Sequence, residues 1–82
     1  MVTVKLFGLL RLDSGLQQFV SNAQSVKELY DELIHLAAAN GKIITEKDIK
    51  SSAVLVNGLQ VGKNTKLKDG DQVMFMSMVA GG

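Results

Sequence analysis

The sequence predicts an α+β domain in which a mixed sheet packs on one long helix. Three observations predict it: an opening segment of period two, a central segment of helical period, and a closing apolar strand. Val2-Thr3-Val4-Lys5-Leu6-Phe7 alternates, with Val2, Val4 and Leu6 on one face, as a half-buried strand does. Ser14-Gly15 falls in a turn region and Leu16 to Val20 returns as a second strand, so the chain is expected to open with a hairpin. Ser25-Val26-Lys27-Glu28 then fits a capping box: the Ser25 hydroxyl accepts from the Glu28 N–H, and the Glu28 carboxylate reaches back to the Ser25 N–H. From there Val26, Leu29, Tyr30, Leu33, Leu36 and Ala37 fall at offsets 0, 3, 4, 7, 10 and 11. They form one apolar helix stripe, opposed by Lys27, Asp31, Glu32 and His35. Asn40-Gly41 suits a left-handed helix end.

Between Lys42 and Ser52 the signals are weak, with a short strand or a helical turn expected around Ile43 to Ile49. Ala53-Val54-Leu55-Val56 reads as a strand, and Asn57-Gly58 is the preferred pair for a tight hairpin turn into Leu59-Gln60-Val61. Leu67-Lys68-Asp69-Gly70-Asp71 carries a second turn signal before the last strand, Gln72 to Met78. That strand is apolar on both faces, Val73 and Phe75 alternating with Met74, Met76 and Met78, which places it centrally in its sheet. The first and last strands are the candidates for neighbours in the middle. Hairpin, long helix and further strands in that order give the β-grasp arrangement, the architecture of ubiquitin. No linker, repeat or low-complexity segment interrupts it, so residues 1–82 are expected to form one domain with a flexible Gly-Gly tail at 79–82.

An 82-residue chain with 46% apolar and 21% charged residues suits a small globular domain with a single core. A net charge of +1 gives no nucleic-acid or anionic-membrane footprint, and Lys42, Lys47 and Lys50 are interspersed with Glu46 and Asp48 as on a solvated face. The absence of cysteine excludes disulfides, thiolate metal sites and a thiol nucleophile. One histidine is too few for a conventional zinc site. Nothing resembles a signal peptide or a membrane span, so the expected location is the cytoplasm.

Enzyme chemistry fails on inventory. The only histidine, His35, lies on the polar helix face, where it reads as a solvated residue that can pair with Asp31. Asp69 and Asp71 lack the further acidic ligands of a calcium loop and read as turn residues. Gly58, Gly62 and Gly70 sit in separate turns with no helix close behind, so they make no phosphate-binding loop.

The one group with a chemical task is the carboxylate of Gly82, at the end of Val79-Ala80-Gly81-Gly82. A terminus without side chains can enter a channel too narrow for other residues. A frayed end is the alternative reading. A carboxylate is a poor acylating agent, but an acyl-adenylate made with ATP on another protein is a good electrophile, and a sulfur nucleophile would convert it to a thiocarboxylate. Four extended residues from Val79 reach about 13–14 Å, enough to enter a partner's pocket while the domain stays outside.

Val4-Lys5-Leu6-Phe7 followed by Arg11, Val54-Leu55-Val56-Asn57, Leu67-Lys68-Asp69-Gly70-Asp71-Gln72-Val73 and the terminal Val79-Ala80-Gly81-Gly82 carry a resemblance. By these stretches the chain resembles the small subunit of molybdopterin synthase, a ubiquitin-like sulfur carrier. The similarity runs nearly end to end and is strongest from Ala53 onward. The resemblance implies adenylation of Gly82 by an enzyme related to ubiquitin-activating enzymes, and sulfur supplied by a sulfurtransferase. The resulting 1-thioglycine at Gly82 would then deliver its sulfur to a pterin precursor. The chain itself would bind no cofactor, ATP being used by the activating partner, and the catalytic side chains would belong to the large synthase subunit. The assembled enzyme would be a heterotetramer.

Many members of that group place two prolines where this chain has Ser77 and Met78, so the approach to the tail is expected to be less rigid here. Strand parity puts Phe7 on the sheet face opposite Val2, Val4 and Leu6, shared with Met74 and Met76. These residues, with Met78, Val79 and Ala80, make a candidate docking surface suited to several partners. The alternative is that they complete the core. Arg11 either pairs with a partner carboxylate or is an exposed charge. Beside the molybdopterin pathway stand three rivals: a carrier for thiamine thiazole or a tungsten pterin, a ubiquitin-like modifier joined through Gly82 to lysines, and an inert interaction domain.

Overall fold

In the computed structural model, which describes residues 1–77, the opening alternation forms β1 (Val2–Phe7), with Val2, Val4 and Leu6 buried. The return strand β2 (Gln18–Ser21) runs antiparallel to it, starting at Gln18 rather than at Leu16. The connection is not a plain turn. It contains a helix, α1 (Leu9–Ser14), whose Leu10 and Ser14 are buried. The simple hairpin is therefore corrected to a helix-bearing one. No local signal announced the start of α1, because its N-cap residue, Gly8, has no side chain to accept a hydrogen bond.

The long helix α2 (Val26–Ala39) lies where the apolar stripe predicted it. Val26, Leu29, Tyr30, Leu33 and Ala37 are buried, whereas Leu36 is only half-buried and Ile34 packs against the core beside it. Half of the predicted capping box forms: the Glu28 N–H donates to the Ser25 hydroxyl at 3.2 Å. The Glu28 carboxylate, however, accepts from the N–H of Gln24 rather than that of Ser25. At the other end Gly41 is left-handed, with its N–H on the Ala38 carbonyl and the Lys42 N–H on that of Ala37, the pattern of a Schellman close. The weak segment resolves as a short helix, α3 (Glu46–Lys50), started by a reciprocal Thr45–Asp48 capping box. Ile44 and Ile49 anchor it in the core, while Ile43 is exposed.

β3 (Ser52–Val56) and β4 (Leu59–Val61) are joined at Asn57 and Gly58, both with positive φ, as a type I′ turn requires. β5 (Gln72–Ser77) completes a sheet of order β2-β1-β5-β3-β4. The closing strand is central, parallel to β1 and antiparallel to β3. One face of the sheet carries Val4, Leu6, Val54, Val73 and Phe75 against α2, with the Tyr30 and Phe75 rings edge-to-face at 6.3 Å. Burial pushes the Tyr30 phenol up, partly opposed by the Lys63 ammonium 5.3 Å from the ring centre.

The Asp69-Gly70 signal is structural. The Asp71 carboxylate accepts from the Lys68 N–H at 2.8 Å and from the Asn57 side-chain amide at 2.9 Å. These two donors, the Lys68 N–H first, hold the Asp71 carboxyl below the usual carboxylate range. Asn57 in turn accepts from the Gln72 N–H, so one turn locks the other at the start of β5. Among the described residues, no helix is long and apolar enough to cross a membrane.

Candidate functional site

Covering only one face of the sheet leaves the other open, and strand parity decides what it shows. On β1 the outward residues are Thr3, Lys5 and Phe7; on β5 they are Gln72, Met74 and Met76. Parallel register sets Phe7 beside Met76 and Lys5 beside Met74. Across β5, Ala53 neighbours Met76 and Leu55 neighbours Met74. Phe7 is 39% exposed and Met76 43%, with Met74 half-buried between its neighbours. Val73 and Phe75, by contrast, are fully buried on the opposite face. The methionines and Phe7 thus form an apolar strip on the uncovered face and not a second layer of core.

Arg11 joins this strip through α1. A groove of about 190 Å³ is lined by Lys5, Leu6, Phe7, Arg11, Gln17 and Gln18, so both cations share it with Phe7. Among the described residues, no acidic side chain lines it. α1 also exposes Leu9 and Leu12. Sequence reasoning missed both, because the helix that presents them was not foreseen.

A third missed residue is Ser77. Its hydroxyl accepts from the Leu10 N–H at 2.6 Å and donates to the Phe7 carbonyl at 3.1 Å. Its backbone passes so close to Gly8 that a Cβ there would fall on the Ser77 carbonyl oxygen. The expected looseness before the tail is corrected to this extent: Ser77 is held by two side-chain bonds and by pairing with Ser52. Met78, Val79, Ala80, Gly81 and Gly82, the remaining predicted site residues, lie outside the described residues.

A larger cavity, about 550 Å³, lies elsewhere. It is lined by Met1, Ser25, Glu28, Lys66 and Asp69 among others, near the starts of β1 and β5. The strip, the groove and Ser77 gather instead toward the ends of those two parallel strands. The described residues therefore gather exposed apolar and cationic groups near the end of β5.

A family model described as the ThiS family matches residues 4–82. No curated protein matches the sequence. Among solved structures, the small archaeal modifier protein 1 (SAMP1) of Methanosarcina acetivorans is 31% identical, with a TM-score of 0.73 over 99% of this chain and 95% of that one. The BexX/CysO complex of Amycolatopsis orientalis contains a chain 27% identical, with a TM-score of 0.71 and both chains fully covered. The complex of subunits 1 and 2 of molybdopterin-converting factor from Helicobacter pylori contains another at 27% identity, with a TM-score of 0.64 over 99% of this chain and 97% of that one.

Proposed function

Because the chain belongs to the ThiS family and has the ubiquitin-like fold of sulfur carriers, we propose that it carries sulfur on Gly82 as the small subunit of molybdopterin synthase. The observation that carries this reading is the placement of Met74 and Met76 on the strand that leads to Gly81-Gly82, with Phe7 beside Met76 and Arg11 sharing a groove with Phe7. A docking surface at the root of a slender terminus suits a protein that is acted on rather than acting.

The Gly82 carboxylate oxygen attacks the α-phosphorus of ATP on a partner adenylyltransferase, pyrophosphate leaves, and a mixed anhydride results. A sulfide-level nucleophile from a sulfurtransferase adds to the activated carbonyl, AMP leaves with its bonding electrons, and a thiocarboxylate remains. That sulfur is the nucleophile delivered to a pterin precursor inside a large subunit, and hydrolysis of the acyl group restores the carboxylate. This chain contributes binding and delivery: the apolar strip supplies area, Lys5 and Arg11 supply charge for carboxylates on the partner, and the glycines supply clearance. The likeness to a molybdopterin-converting factor subunit seen in complex with its partner supports that pathway.

The test is intact-mass spectrometry of the chain after incubation with ATP, an adenylating enzyme and a sulfur donor. The expected mass gain is that of one oxygen replaced by one sulfur on the C-terminal peptide. Adding the large subunit and a cyclic pyranopterin substrate should then return the mass to its starting value and yield a dithiolene. An unchanged mass in the first step would refute sulfur carriage. A charged chain that gives no dithiolene would refute the pathway alone.

A second reading has its own support. The 31% identical structure is called a small archaeal modifier protein. As a modifier, the chain would be joined through Gly82 to lysine amines of other proteins, and isopeptide-linked Gly-Gly remnants in a cellular digest would favour it.

A further inference from the structure

The first turn of a helix leaves its N–H groups without intrahelical partners, and the residue before it normally supplies a side-chain acceptor. In α1 that residue is Gly8, which has none to offer. The acceptor for the Leu10 N–H comes instead from 67 positions away, the hydroxyl of Ser77 at the last described position of β5. The same hydroxyl spends its own proton on the Phe7 carbonyl, at the end of β1. Three places therefore meet on one oxygen: the strand end that carries Phe7, the helix that carries Arg11, and the residue from which the chain continues to Gly82. Gly8 lets the contact form, since any side chain there would collide with the Ser77 carbonyl.

We propose that Ser77 is a positioning residue for sulfur transfer, fixing the root of the C-terminal segment to the surface that docks the partner. The proposal rests on the sulfur-carrier reading and specifies how that site is oriented. Five residues follow Ser77, and fully extended they span at most about 18 Å. A segment drawn out to that length inside a partner has no slack with which to correct its starting point. Small misplacements of a reacting group lower rates steeply. A hydroxyl that ties root to docking surface therefore acts on turnover more than on binding, because Phe7, Met74 and Met76 are held by the sheet whether or not Ser77 is bonded.

The experiment compares Ser77→Thr with Ser77→Val in the full chain, with Ser77→Ala alongside. Threonine and valine have nearly the same shape and both suit a strand, so they differ chiefly in the hydroxyl. Each is assayed with the chain's adenylating enzyme, ATP and sulfide, following pyrophosphate release and thiocarboxylate by mass. We expect Ser77→Val and Ser77→Ala to lower kcat about 5–10-fold with KM within about twofold of the parent, and Ser77→Thr to retain at least about half of the parental kcat. Amide hydrogen exchange at Leu10 should quicken in the valine and alanine variants and not in the threonine variant. Equal kcat for valine and threonine would overturn the proposal, as would a change confined to KM, which would make the hydroxyl part of the docking surface alone. Loss of activity matched by faster exchange throughout the sheet would assign Ser77 a purely structural role and also overturn it. A parent chain that acquires no sulfur would remove the carrier reading, and the proposal with it.

Discussion

Replacing Gly8 by alanine is the sharpest probe of how the sheet end is built. Gly8 has φ 76° and ψ −145°, a combination that L-residues rarely adopt, and holding alanine there costs about 1–3 kcal/mol. The added Cβ would fall on the Ser77 carbonyl oxygen, which belongs to backbone and cannot swing aside. Relieving that overlap means shifting a strand, at about 1–3 kcal/mol. The shift also breaks the two bonds of the Ser77 hydroxyl, each worth about 0.5–1.5 kcal/mol net. Together these come to about 3–9 kcal/mol. An 82-residue domain has about 4–12 kcal/mol in total at 0.05–0.15 kcal/mol per residue. The variant should therefore be close to unfolded, or melt more than about 15 °C lower. Gly58→Ala is the internal control: its φ of 86° is equally unusual, yet nothing lies within 4 Å of the added Cβ, so about 1 kcal/mol is expected. Urea titrations followed by far-ultraviolet circular dichroism would measure both. If Gly8→Ala loses no more than Gly58→Ala, the close approach to Ser77 is not a constraint and the argument fails.

Three further outcomes are expected. Leu33→Ala, at a fully buried position under the sheet, should lose about 2–5 kcal/mol in the same urea assay; a loss below about 0.5 kcal/mol would put Leu33 outside the core. The Asp71 carboxyl is held low by the Lys68 N–H and the Asn57 amide, so its contribution is fully present above its unfolded value and disappears as pH falls through the folded one. Asn57→Ala should raise the Asp71 titration midpoint seen by carbon NMR and flatten the loss of stability in acid, and an unmoved midpoint would rule out the coupling. Phe7→Ala should keep the parental melting temperature within about 5 °C, as an exposed side chain allows. It should weaken association with the adenylating enzyme or the large subunit at least about tenfold in calorimetry, as loss of an aromatic anchor does; unchanged binding would remove Phe7 from the docking surface.

What the sequence disclosed and what it withheld follow from the range of the interactions involved. The stripe from Val26 to Ala37 and the alternation of Val2, Val4 and Leu6 are local patterns, and each forms the element it predicts. The face of Phe7 and Met76 was legible for the same reason, because parity along a strand needs no knowledge of its neighbours. Helix α3 had a readable signal in Thr45 and Asp48, a capping pair with aspartate where glutamate is more familiar. Helix α1 had a weaker one in Gly15 at its end, but its start depends on a hydroxyl near the far end of the chain. No window of sequence contains both Gly8 and Ser77. The same distance hid the grouping of Arg11 with Lys5 and Phe7, and the exposure of Leu9 and Leu12. Leu36 fell on the stripe by period and is only half-buried in fact, while Ile34 packs against the core instead.

The central place of β5 has a consequence for how copies of this protein are made. Without residues 72–77 the sheet order leaves only two separate hairpins, β1 with β2 and β3 with β4, each with both edges bare. Two-stranded hairpins are marginal in water, and bare edges invite pairing with other chains. Only the arrival of β5 joins them, through parallel bonds to one and antiparallel bonds to the other. The complete sheet therefore cannot form before β5 is present. A prematurely terminated product that lacks β5 has no sheet to join and passes to proteolysis or aggregation instead of competing for partners. Every copy that presents a folded docking face has been translated at least to Ser77, five residues short of Gly82.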